Sequence, residues 1–151
     1  MTPTGSALAR QFRGALAGLR DIITKLPDDQ WYVGATKDQV PARRAHHAIM
    51  HAGRWCYPKG GSGYRLHPVA RGDTPEAAYR CREDMLAYLD DVACQVEAAL
   101  GGTTDEQFAG LATGGRTLLE HWVYALRHTQ HHVGQLSSTL RERRLPPMKW
   151  H

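Results

Sequence analysis

The sequence lacks the features of a membrane-bound, secreted or disulfide-stapled protein. No stretch reaches the about 20 consecutive apolar residues that a membrane span needs. The N-terminal run MTPTGSALARQFRGALAG has no long apolar segment ahead of a small-residue cleavage site. The cytoplasm is therefore the expected compartment, with no membrane partner. Cysteine is scarce: Cys56, Cys81 and Cys94 are odd in number and form no Cys-x-x-Cys pair, which argues against a disulfide framework and a cysteine zinc knuckle alike. Alternating apolar and polar runs that would build strands are missing too. Charge of one sign is not concentrated: 19 Lys+Arg against 15 Asp+Glu leave a formal +4. The one dense cluster, RERR at 141–144, falls where a helix is expected to end, and exposed carbonyls favour cations there. No aromatic-basic motif accompanies it, so no nucleic-acid partner is expected.

What is present is helical periodicity. With 151 residues, 42% of them hydrophobic, the chain can bury roughly two-thirds of its extended surface, and a single soluble domain over 1–151 is expected. Leu8, Phe12, Leu16, Leu19 and Ile23 recur at helical spacing and predict a first helix over 6–25, stopped by LPDD. A second begins near Pro41, whose fixed φ suits a first helical turn, and runs to Pro58. A third opens with Thr74 as N-cap and Pro75 at the first helical position, and continues to Leu100 before Gly101 and Gly102. A fourth covers 117–143, ahead of Pro146 and Pro147. The prediction is an all-α protein, a four-helix bundle. The Gly- and Pro-rich segment YPKGGSGYRLHPVARGD at 57–73 is too long for a simple turn, and reads equally as a lid or partner-binding loop and as a surface excursion.

The fourth helix carries RHTQHHVGQL at 127–136. Residues four apart on a helix lie one turn above each other, so His128 and His132 share a face, while His131 is turned about 100° away. Trp122, Val133, Leu136 and Leu140 form an apolar stripe beside the pair, with Leu118 at its start, which places the two imidazoles at the edge of the buried face. Two histidines at this spacing can bind zinc, nickel or a similar borderline ion, but a stable site needs a third ligand. The second helix offers His46, His47 and His51 in RRAHHAIMH, of which His47 and His51 share a face. Zinc-peptidase chemistry is excluded, because H-E-x-x-H requires a glutamate where this chain has Thr129, and Glu120 is rotated away by about 80°. Cys56 falls on the apolar side of the second helix with Ala48, Ile49 and Ala52, and reads as an inert buried thiol.

The segments VPARRAHHAIMHAGRW and YALRHTQHHVGQLSSTLRER together resemble the DinB/YfiT-like superfamily of four-helix metalloenzymes, where DinB denotes the bundle family and not a DNA polymerase. The resemblance implies a divalent metal, zinc or nickel, held by His47 from the second helix and by His128 and His132 from the fourth. His51 is the reserve ligand, since the apolar face of the second helix lies slightly closer to it. Three histidines leave a coordination position open, as in catalytic zinc sites. The resemblance further implies a small-molecule substrate, a homodimer, and a metal-dependent S-transferase or related enzyme that uses a low-molecular-weight thiol. His51, His121, Tyr124 and Gln135 are candidates to line its pocket as proton donors or orienting groups. The alternative is a non-catalytic metal-binding bundle acting as an interaction or stress-response module, which a fourth protein ligand such as His51 would favour.

Overall fold

The computed structural model describes residues 1–55 and 81–150. Within them lie six α-helices, four of them long, and no strand; a single isolated bridge joins Leu111 and Thr117. Helix α1 spans Pro3–Lys25. It starts earlier than its apolar repeat does, because Thr2 caps it by accepting from the Gly5 N–H at 3.1 Å and Pro3 occupies the first turn. A four-residue helix α2, Asp28–Trp31, buries the Trp31 side chain, and α3 follows as Pro41–Trp55. Helix α4 spans Arg82–Gly102 and is capped by Cys81, whose sulfur accepts from the Asp84 N–H at 3.3 Å. Cys81 is extended, with φ −145° and ψ 160°, so the continuous third helix expected from Pro75 does not form; Thr74 and Pro75 lie outside the described residues. The short α5, Asp105–Ala109, and the long α6, Leu118–Glu142, each open on a capping box, Thr104 with Gln107 and Thr117 with Glu120.

The four long helices form a ring in which α1 packs on α4 and α6, and α3 packs on the same two. Helix directions follow from paired residues. Arg13 reaches Glu97 and Arg20 reaches Asp90, so α1 and α4 are antiparallel. Phe12 meets Trp122 edge-on at 5.6 Å between centroids, and Gly18 lies near Val133, so α1 and α6 are parallel. His51 faces His128 and His47 faces His132, which makes α3 and α6 antiparallel. Helices α3 and α4 consequently run in the same direction.

The centre is apolar: Leu19, Ile22, Ile23, Leu26, Ile49, Leu89, Leu136 and Leu140 are all fully or almost fully buried. After α6 the chain folds back along α1. Lys25 Nζ donates to Asp21 and to the Pro147 carbonyl, both at 2.6 Å, and the Lys149 N–H donates to Asp21 at 3.0 Å. Met148 packs over Gly18, where a Cβ would approach its sulfur to 3.0 Å. The opposite end of α1 is equally close-fitting, since a Cβ on Gly5 would lie 2.7 Å from the Leu100 carbonyl oxygen. Among the described residues no helix is long and apolar enough to cross a membrane.

Candidate metal centre

Helix α3 owes its packing to small residues. Ala42, Ala45, Ala48 and Ala52 are fully buried, which lets the helix lie close to its neighbours. The face beside this row carries His47 and His51, and it meets the face of α6 that carries His128 and His132. Ring centroids lie 4.7 Å apart for His47 and His132, 5.3 Å for His47 and His128, and 4.6 Å for His128 and His132. One ring nitrogen from each of these three histidines lies within 4.8 Å of the others, so the group could hold a metal ion. The Nε2 atoms of His128 and His132 are 3.3 Å apart. That is about the edge of a tetrahedron around an ion with metal–nitrogen bonds of about 2.0–2.1 Å. Three imidazoles are also the donor chemistry that suits a borderline divalent cation.

The tautomer of His132 is set from behind. Its Nδ1–H donates to Gln135 Oε1 at 2.8 Å, which leaves the Nε2 lone pair facing the cluster. Burial pushes the His132 pKa down to about 4, against the Gln135 bond and helped by the neighbouring His128 and His47. Burial also lowers His47, with His128 and Arg43 adding to the effect, and lowers His128, with His131 adding to it. All three rings are thus held neutral near pH 7, and neutral imidazole is the form that ligates metal.

The remaining candidates have distinct surroundings. His51 lies 4.2 Å from His47 and 4.4 Å from His128 between ring centroids, outside the three-donor group but against two of its members. Tyr124 stacks on His128 at 6.0 Å and 26°, beneath the guanidiniums of Arg116 and Arg127 at 5.7 and 5.9 Å. His121 sits two turns from His128 with its Nε2 2.8 Å from the Thr113 carbonyl, a contact that ties the turn before α6 to the helix. His46 turns toward α4, 5.8 Å from the Tyr88 ring, and burial lowers its pKa to about 4. His131 is exposed. Thr129, where a zinc peptidase would carry its glutamate, is fully buried and donates to the Ala125 carbonyl at 2.9 Å. Glu120 is taken by the cap, accepting from the Thr117 N–H at 2.7 Å. Cys56 and the 57–73 segment lie outside the described residues.

Sequence reasoning passed over Arg44 at the same seam and read Arg143 only as part of a cation cluster at a helix end. Arg44 precedes His47 by three residues on the same side of α3, and Arg143 follows α6 directly. The i, i+3 spacing of Arg44 and His47 was the available signal.

The sequence model of the DinB superfamily matches residues 11–136, a span that starts inside α1 and includes all three clustered histidines. No curated protein matches the chain. The helix order, the histidine cluster at the α3–α6 seam and the extent of that match agree, and the chain belongs to the DinB superfamily.

Proposed function

We propose that the protein is a metal-dependent enzyme acting on a low-molecular-weight thiol, an S-transferase or a thiol-dependent isomerase, with zinc or nickel held by His47, His128 and His132. The observation that carries this reading is the size of the donor group: three imidazoles with His51 beside them and not among them, which leaves a coordination position for an exogenous ligand. A divalent ion in such a site favours the thiolate form of a coordinated thiol near pH 7. The protein's own residues then have separable tasks. Gln135 keeps the His132 lone pair directed at the ion. Tyr124 braces His128 by stacking, and with His51 supplies groups at the rim that can donate or accept a proton.

The test is conjugation of a panel of thiols to a chloro-nitroaromatic electrophile, with the rate expected to disappear on chelation and in His132→Ala. Activity that survives both treatments would overturn the assignment. The proximity of His51 favours a second reading, since a change of its rotamer would supply a fourth ligand and close the site, giving a metal-binding bundle without catalysis. Absorption spectra of the cobalt-substituted protein separate the two. A spectrum that changes on adding a thiol indicates an open position, and one that stays fixed indicates closure.

A further inference from the structure

The polar character of the α3–α6 seam continues past the metal centre. From Gln135 the same face of α6 runs on through Ser138 and Glu142, at intervals of three and four residues. With Gln39, Arg44 and Arg143 these residues line a groove of about 430 Å³. That volume falls in the about 300–1,000 Å³ range of small-molecule sites.

The charges in the groove are not balanced within it. Arg44 has no carboxylate partner among the described residues, where the ion pairs are Arg13–Glu97, Arg20–Asp90, Lys25–Asp21, Arg43–Asp38 and Arg82–Asp28. Arg143 donates to the backbone carbonyls of Gln30 and Val33, which fastens that segment to the end of α6 and leaves the guanidinium charge unneutralised. Glu142 is the one acid in the lining, and it is exposed. Gln135 offers its Oε1 to His132, so its remaining donor is the amide NH2 at the inner end of the groove.

We propose that this groove is an anion subsite that receives the carboxylate or phosphate group of a small acid, with the Arg44 fork as its principal partner and the Gln135 amide as its inner donor. An Arg guanidinium matches the two oxygens of such a group with paired N–H donors, and partial burial of the seam strengthens each of these bonds. Arg44 is three residues from His47, about 4.5 Å along the helix axis, so an acid seated there lies beside the histidine cluster. The proposal concerns recognition, and it goes beyond the thiol reading because it holds whatever chemistry the metal performs.

The experiment uses the full chain without metal, labelled with nitrogen-15 and titrated separately with acetate and with inorganic phosphate at constant ionic strength in chloride. The side-chain amide of Gln135 and the Nε–H of Arg44 are expected to shift and saturate at millimolar anion. Tighter acetate binding identifies a carboxylic acid as the ligand class, and tighter phosphate binding a phosphate ester. Arg44→Gln is expected to weaken binding at least tenfold. Arg44→Lys, which keeps the charge and loses the fork, should fall between the two and guards against a folding defect in Arg44→Gln. Arg10→Gln, a cation lost from α1, should change nothing. Absence of saturation with both anions, or equal binding by the wild type and Arg44→Gln, would overturn the proposal.

Discussion

The α1–α4 seam and the α3–α6 seam are both antiparallel helix pairs of the same bundle, and they are filled differently. Between α1 and α4 the buried positions are apolar, Phe12 and Leu16 against Val96 and its neighbours, with charge confined to the exposed Arg13–Glu97 and Arg20–Asp90 pairs at the rim. Between α3 and α6 the corresponding turns carry imidazoles. Exposed ion pairs contribute little, so the first seam is held by burial. The second half-buries rings that would bond water if exposed, a cost that the Gln135 bond to His132 offsets in part and a bound metal ion would offset further. One seam stabilises the fold and the other carries the group that could hold a metal ion.

The strongest way to break this division is at the site. His128→Ala combined with His132→Ala removes two of three ligands, and metal content measured by elemental analysis is expected to drop from about one ion per chain to near zero. The metal-free double variant should unfold within about 1 kcal/mol of the metal-free wild type, because the deleted rings add little to the core. A double variant that keeps its metal would remove the site assignment. The reciprocal test is Leu16→Ala on α1, expected to cost about 2–5 kcal/mol in denaturant unfolding while the folded protein still binds one ion. Loss of metal affinity in that variant would show that the two seams are not separable.

Substitutions behind the ligands give a smaller effect. Gln135→Leu removes the group that fixes the His132 tautomer, and such partners are typically worth about 10–100-fold in metal affinity. His47→Ala should lower affinity further than that. His46→Ala, which disturbs the Tyr88 contact on the other side of α3, should leave affinity nearly unchanged and lower stability instead. Equal effects of His46→Ala and His47→Ala on metal binding would contradict the α3–α6 register.

The two seams were not equally legible in the sequence. Apolar repeats disclosed α1 and α6, because one face of each is buried along most of its length, and Pro41 marked the start of α3. The beginning of α4 was misread, since Thr74 and Pro75 make a conventional cap signal and a cysteine cap at Cys81 makes none. That α3 and α4 run parallel was hidden as well, for helix direction is set by which faces meet and leaves no mark in periodicity. At the site, i, i+4 spacing separated His128 and His132 from His131. It could not rank His47 against His51, which share a face, and only the register of α3 on α6 brings His47 opposite His132 while His51 stops at His128. Arg143 was read only as a cation at a helix end, which has a generic electrostatic explanation, and Arg44, near the start of α3 where that explanation does not apply, went unnoticed.

The smallest expected effect concerns the other edge of α1, where charge is partly buried and not at the rim. Partial burial of Asp21 opposes its ionisation, but the Lys25 hydrogen bond, the Lys149 N–H and both ammonium charges outweigh it and hold the carboxyl below its ordinary value. A carboxyl whose pKa is lower when folded binds fewer protons in the native state, so its contribution is full above the unfolded value of about 3.9 and is lost as pH falls through the folded value. Asp21→Asn should accordingly be less stable than the wild type at pH 7, by no more than about 1 kcal/mol, as partly exposed pairs allow. The gap should narrow as pH falls below the unfolded value and close only once pH has passed the lowered folded value, where the native carboxyl takes up its proton. Urea unfolding of both proteins at pH 7 and pH 3 measures it. A gap that persists unchanged at pH 3 would mean that Asp21 acts through hydrogen-bond geometry alone, and that charge matters as little on this edge as it does between α1 and α4.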